Sequence, residues 1–451
     1  MLRPLLPLCA LALLSAGEAR PKPLDPEPFR DGTREIEVSN VKERTLTPKA
    51  DPEGLDRYVL WYRGFDNGNW GAWQRHGQAY PKGTPVVWAP PEGHWQVHLQ
   101  VVLTSGLPSA DPAREPDKIK AHKEFIIDRS SPRVAIGFPG AGAKLRGGDK
   151  YTVRWTASDA YLRTAPIAIR WSVDGGASWA TVASELANAG SFEWTVPRDM
   201  TTTGVLRIEA ADKAGNVGFA DVAGILVDSI RPRGRVLGPA ISNRQETALD
   251  LEVNDQGPAG LSAARLWVSQ DDGVSWVEGP TIAAPFKQVS WRAPQDGVFR
   301  LYVVATDGAG NVTQAPQGKV GETIIVDTSA PTVLLASAIG ISDAAAPAPG
   351  RRDFKPGDRV QVVFTVKDAN LQPNSISVLW QMESGKPWVE LGRNLPHDQA
   401  FRFQIPNDVA ATKSARIKVT AADLAGNVGE AVAAEAFTIQ TLAQIGDIVI
   451  E

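Results

Sequence analysis

One pattern returns along this 451-residue chain at intervals of roughly a hundred residues, the size of a single β-sandwich. Its best anchors are SVDGGASW (Ser172–Trp179) with ADKAGNVG (Ala211–Gly218), then SQDDGVSW (Ser269–Trp276) with TDGAGNVT (Thr306–Thr313). A weaker copy has QMESGKPW (Gln381–Trp388) with ADLAGNVG (Ala422–Gly429). Such a period predicts a tandem array of domains and not one large enzyme fold. A further, N-terminal copy has lost the AGN element but keeps two landmarks found in all four. One is a Trp eight or nine residues before the hairpin Trp: Trp61 before Trp70, Trp171 before Trp179, Trp267 before Trp276 and Trp380 before Trp388. The other is an aromatic closing a strand just ahead of a proline: Trp88 and Pro90, Trp194 and Pro197, Trp291 and Pro294, Phe403 and Pro406. Most of the 14 tryptophans are thereby explained as core and turn aromatics.

Within a copy, apolar and polar residues alternate. Tyr151, Val153 and Trp155 do so, as do Ile167, Ile169, Trp171 and Val173, and then Leu206, Ile208 and Ala210. Period two with one apolar face is the mark of a half-buried antiparallel strand. Several such strands per copy, punctuated by Gly, Pro, Asp and Asn, predict a two-sheet sandwich. Copies meet at a recurring linker in which an apolar strand ends, an Asp follows and a Pro comes four residues later: Asp128 and Pro132, Asp228 and Pro232, Asp327 and Pro331. These give modules at 34–128, 129–228, 229–327 and 328–441, with a tail at 442–451. The Ala- and Pro-rich stretch Asp343–Arg352 is expected to be a flexible loop in the fourth module.

Arg3, the apolar run Leu5–Ala16 and the small-residue end at Ala19 predict a signal peptide over 1–19, followed by a Pro-rich leader over 20–33. The mature chain is expected in the periplasm or at the cell surface, without membrane insertion. Cys9, the sole cysteine, falls in the cleaved segment, so the modules are expected to hold together without disulfides. A net charge of −4 with bases scattered among acids argues against a nucleic-acid partner.

The Asp-x-x-x-Pro linkers and Asp-x-Ala-Gly-Asn turns resemble those of secreted bacterial proteins built from immunoglobulin-like or fibronectin-III-like repeats. The resemblance covers Arg34 to about Gln440. It implies an all-β chain, a tandem array of four immunoglobulin-like β-sandwich modules after a signal peptide. It implies no single activity, because such repeats serve as adhesin stalks, spacers and envelope scaffolds. SVDGGASW and SQDDGVSW also resemble the Asp-box hairpin of sialidase-like propellers, which is structural there; a propeller would repeat it about every 50 residues.

The chemistry-bearing pattern is a set of acids. Each of the last three modules has an Asp after its first long strand (Asp159, Asp255, Asp368) and another in its AGN hairpin (Asp212, Asp307, Asp423). In an immunoglobulin-like sandwich both loops lie at the end that receives the incoming linker. The expected groups are Asp128, Asp159 and Asp212; Asp228, Asp255 and Asp307; Asp327, Asp368 and Asp423. Three gathered carboxylates suit a structural Ca²⁺, with Asn216, Asn311, Asn427, carbonyls or water completing its oxygens. Asp is equally a favoured turn residue, and turn formation alone explains the same letters. The resemblance favours calcium only in so far as some bacterial repeat adhesins carry it between modules.

Trp70, Trp73 and Trp95 make the first module rich in aromatics and are candidates for stacking on a glycan. His76, His94 and His98 lack an acidic or Cys partner set for zinc. The function expected is that of a non-enzymatic, rod-like spacer or binding scaffold of the cell envelope with a protein or glycan partner. The alternatives are a carbohydrate-binding protein with its site on module 1, and an accessory subunit of a secreted enzyme.

Overall fold

The computed structural model describes residues 26–32, 34–341, 352–397 and 400–440. The expected signal peptide with Cys9, the first part of the leader, the 343–351 stretch and the 442–451 tail lie outside them. The chain forms two compact units: Met1–Ile230 with Gln256–Gly260 and Gly308–Asn311, and Arg231–Asp255 with Leu261–Asp307 and Val312–Glu451. Both are all-β. Among the described residues the one helical element is a 3-10 turn, Pro116–Lys118, and no helix is long and apolar enough to cross a membrane.

In the first unit, residues 133–228 show the repeated topology most clearly. A three-stranded antiparallel sheet orders Arg133–Phe138, Lys150–Ser158 and Ser191–Thr195. A five-stranded sheet orders Lys144–Arg146, Val217–Asp228, Thr201–Asp212, Leu162–Ser172 and Ala180–Leu186. Pro139, Gly140 and Gly142 interrupt the first strand, so its halves serve different sheets. The second half, Lys144–Arg146, pairs in parallel with Val217–Asp228. At the opposite edge Ala180–Leu186 pairs with Leu162–Ser172 through two register shifts. Between the sheets lie Trp155, Trp171, Trp194, Ile169, Ile208 and Ile225. Residues 29–127 form a seven-stranded and a two-stranded sheet instead. The end of the leader is part of this arrangement: Phe29–Asp31 pairs with Arg34–Ser39, and the Phe29 ring meets Tyr161 edge-on at 5.6 Å.

The second unit repeats the plan. Arg233–Leu237, Glu246–Asn254 and Gln288–Arg292 face a five-stranded sheet that runs from Ile241–Ser242 to Val277–Ile282. Thr332–Ile341, Arg359–Lys367 and Phe401–Gln404 face a six-stranded one that begins with Asp353–Phe354. Ile241–Ser242 and Asp353–Phe354 are again short parallel edges.

The four landmark tryptophans are not equivalent. Trp171 and Trp380 stand eight residues before their hairpin Trp and point into their cores. Trp61 and Trp267 stand nine before. Trp61 joins Val59 and Trp73 on the sheet face opposite Tyr58 and Leu60, and Trp267 is half-buried while Leu266 and Val268 fill the core. One residue of offset in a strand exchanges its faces. The hairpin tryptophans lie half-buried on the outer faces. Trp179 covers the buried Arg207, whose guanidinium sits 4.4 Å from the Trp179 ring and 4.1 Å from Phe219 and pairs in fork geometry with Asp221 at 2.7 and 2.8 Å. Aromatic faces and a bidentate carboxylate satisfy a cation taken out of water.

The Gly after the AGN-V string has a packing cause. A Cβ at Gly218 or Gly429 would stand 1.8 Å from the carbonyl oxygen of Pro132 or Pro331. The hairpin between these two in the chain has Thr313 there, buried, its hydroxyl donating to the Pro232 carbonyl at 2.9 Å. Gly218→Ala and Gly429→Ala are therefore expected to lower unfolding free energy by about 1–3 kcal/mol through overpacking. Gly140→Ala, where nothing lies within 4 Å, should change it by a few tenths at most. Urea titration of each variant checks the contrast; similar midpoints for all three would refute it.

Candidate metal centre

Each linker Asp ends a buried strand and turns the chain. Oδ1 of Asp128 accepts the Ser130 amide at 3.0 Å, that of Asp228 the Ile230 amide at 2.8 Å, and that of Asp327 the Ser329 amide at 3.2 Å. The loop acids turn the same way, Asp159 accepting from the Tyr161 amide and Asp368 from the Asn370 amide, both at 2.7 Å. These are bonds of an Asp side chain to the backbone two residues on, the role that turn chemistry predicts.

The hairpin acids do more. Asp212 accepts the Asn216 amide at 2.8 Å with Oδ1 and the Asn216 side-chain NH2 at 2.7 Å with Oδ2. Asp423 and Asn427 repeat both bonds at 2.8 and 2.7 Å. The glycine between them holds φ of +89° at Gly215 and +90° at Gly426, which a residue without Cβ adopts freely. The same NH2 groups reach back to the preceding linker: Asn216 donates to the Asp128 carbonyl at 3.0 Å, and Asn427 to the Asp327 carbonyl at 2.8 Å. In the first unit Asn311 likewise donates to the Asp228 carbonyl at 3.1 Å. The sequence marks these asparagines as oxygen donors to a cation, whereas in the structure their nitrogens clamp the linker. Their recurrence in three AGN strings was the available signal.

The structure brings two of the expected acid groups together. Ligand atoms of Asp128, Asp159 and Asp212 in the first unit lie within 4.8 Å of one another, as do those of Asp327, Asp368 and Asp423 in the second. Asp228 belongs to the first unit, Asp255 and Asp307 to the second, each at its expected strand end or loop. Asp128, Asp212, Asp327 and Asp423 are buried, an unusual state for Asp. Two carboxylates about 4 Å apart repel by roughly 4 kcal/mol at an effective dielectric near 20. Burial, helped by the Asp212, Asp159 and Glu92 charges, pushes Asp128 up from 3.8 to about 6. Burial likewise raises Asp212, against its Asn216 bonds, and raises Asp368 with help from Asp327 and Asp423.

The three glycan-stacking candidates do not form one platform. Trp73 is buried beneath the Arg63 guanidinium, 4.6 Å from its ring. Trp70 packs at 5.0 Å against both Phe65 and His94. Trp95 belongs to the opposite face, edge-on to Trp88 at 5.6 Å, with its NH donating to the Pro91 carbonyl. Alternation along Leu55–Asp66 and Gly93–Leu103 separates them, a consequence hidden when tryptophans are counted without their faces. His94 pairs with Glu124 at 2.9 Å, and the acid groups described above contain no histidine.

Residues 138–220 match the family model of the Kre9/KNH-like N-terminal Ig-like domain. No curated protein matches the chain. Among solved structures, it is similar to a tetra-tandem repeat from the extending region of a large adhesion protein (16% identity, 85% of this chain and 92% of that one, TM-score 0.32). It is also similar to a Ca²⁺-stabilized adhesin that helps an Antarctic bacterium bind ice (13% identity, 88% and 93%, TM-score 0.31). A third likeness is to the fibronectin(III)-like modules of Clostridium thermocellum CbhA (16% identity, 43% and 93%, TM-score 0.26). The sheet pairs and the family match agree on an immunoglobulin-like fold.

The raised Asp128 carboxyl has a definite sign. Its protonated form is favoured on folding, so the stability it contributes is complete below about pH 4 and lost as pH rises through about 6. In chelator, Asp128→Asn, which imitates the protonated group, is expected to melt above the wild type near pH 7 and to lose that advantage towards about pH 4. Thermal melts across this range check it; a wild type and variant that keep a constant gap would refute it.

Proposed function

We propose that this chain is a non-enzymatic, exported structural or adhesive repeat protein of the cell envelope, a spacer or binding scaffold. The observation that supports it most directly is the clamp from an AGN asparagine to the linker before it, made by the same atoms three times: Asn216 to the Asp128 carbonyl, Asn311 to the Asp228 carbonyl and Asn427 to the Asp327 carbonyl. A linker carbonyl held by a half-buried amide restricts how successive sandwiches swing, which is what a chain that presents a surface at a distance requires. Around the first clamp Asn40 donates to the Asn216 side-chain oxygen at 3.1 Å, and Arg163 pairs with Glu27 at 3.0 Å. Sequence and structure thus put their recurring polar chemistry at the joints. Export rests on Arg3, the Leu5–Ala16 run and Ala19.

The test is capture on intact envelopes. Purified mature chain should retain a protein or glycan partner from them, and N-terminal sequencing of the native protein should begin just after Ala19. Pretreating the envelope with protease or with periodate tells which class the partner is. An intact Met1 on cytoplasmic protein, or turnover of an envelope polymer by the purified chain, would overturn the reading.

A further inference from the structure

The three linker aspartates differ in one oxygen. Oδ2 of Asp228 accepts the Ala259 amide at 2.9 Å, and Oδ2 of Asp327 accepts the Asn370 side-chain NH2 at 2.7 Å. Oδ2 of Asp128 is buried without a hydrogen-bond partner, in a residue only 7% exposed. A buried carboxylate oxygen left without a donor is costly and demands a ligand.

The cause lies two residues beyond the loop Asp. In the third linker's group that position is Asn370, which supplies the missing donor. In the first it is Tyr161, which gives Asp128 Oδ2 no hydrogen bond and packs its ring with Phe29, Ile36 and Val38. Nor does any cation compensate: among the described residues no Lys or Arg forms a salt bridge with Asp128, Asp159 or Asp212. The nearby bases are engaged elsewhere, Lys213 with the Pro28 carbonyl and Arg129 with the Val41 and Pro90 carbonyls.

We propose that Asp128, Asp159 and Asp212 bind a single divalent cation of the Ca²⁺ class, whereas Asp228 and Asp327 are completed by donors of the chain itself. All the ligands are hard carboxylate oxygens, with neither imidazole nor thiolate, which disfavours zinc and copper. A buried site leaves few places for retained water, and Ca²⁺ gives up its hydration shell more readily than Mg²⁺. Asp159, half-exposed at the loop, leaves a side open for the ion to enter. This deepens the scaffold reading by giving the first joint a dependence on its surroundings, but envelope capture and cation binding are read separately and either can fail alone.

The experiment is calorimetric titration of chelator-stripped, full-length mature protein with CaCl2, and with MgCl2 for comparison. One site per chain is expected, at least about tenfold tighter for Ca²⁺ than for Mg²⁺. Asp128→Asn should abolish it and Asp327→Asn should leave it. Asp159→Asn, at a less buried position, should weaken it at least tenfold and decides the matter if Asp128→Asn fails to fold. Asn370→Ala, which frees the Asp327 oxygen, should raise the stoichiometry from one to two. No binding at millimolar Ca²⁺, several equal sites in the wild type, full binding in the Asp159 variant, or an unchanged stoichiometry in the Asn370 variant would each overturn the proposal.

Discussion

The joints depend on one amide. The NH2 of the AGN asparagine is divided between the carboxylate of its own hairpin and the carbonyl of the linker before it. The carboxylate partner, Asp212 or Asp423, is buried and fixes the asparagine so that its second proton faces the linker, where Asn427 reaches the carbonyls of both Asp327 and Ser329. The linker Asp then bonds its own chain two residues on, ending the strand at a set angle. Remove the hairpin Asp, and the asparagine loses the anchor that aims it. The hydrogen bonds of the turn and those of the joint are therefore the same structure, and turn formation and a role between sandwiches are not alternatives.

The architecture was legible because two independent periods overlay each other. Alternation along each strand specified two-sided sheets, and the recurrence of linkers and hairpins specified that such sheet pairs repeat along the chain. The acid groups were legible for the same reason: Asp159 and Asp212 hold fixed places relative to strands, so topology alone predicts that they meet at Asp128. What the letters did not show depends on direction. An asparagine near carboxylates can turn oxygen or nitrogen towards them, and only the bonds at Asn216 and Asn427 decide for nitrogen. Trp171 and Trp267 look alike in a repeat, yet an offset of one residue sends their rings to opposite faces. Trp95 parts from Trp73 by the same rule. The contrast between Tyr161 and Asn370 was equally hidden, since it is set by what each side chain finds to pack against and not by its place in the motif.

Degeneracy of the repeat also has a physical reading. Gly218 and Gly429 let a proline carbonyl approach the hairpin backbone, whereas Thr313 meets the same carbonyl with a hydroxyl. Different residues meet one requirement, a satisfied carbonyl at a tight contact, and a search for identical letters undercounts the positions under that constraint. The residues over the hairpins vary in the same way: Trp179 stacks on Arg207 and Trp388 on Lys418, while Trp276 lies edge-on to Tyr302.

The sheet edges bear on how such a chain folds as it is made. Sandwiches of similar sequence that share one polypeptide are at high effective concentration, and an open strand edge on one invites a strand from another. Here the parallel edges are only two or three residues long, as at Lys144–Arg146, Ile241–Ser242 and Asp353–Phe354, and the opposite edge at Ala180–Leu186 is thrown out of register twice. Short or irregular edges such as these offer too few aligned donors and acceptors to template a foreign strand, which leaves the longer edges of the three-stranded sheets, Thr332–Ile341 among them, as the places where exchange between repeats would begin.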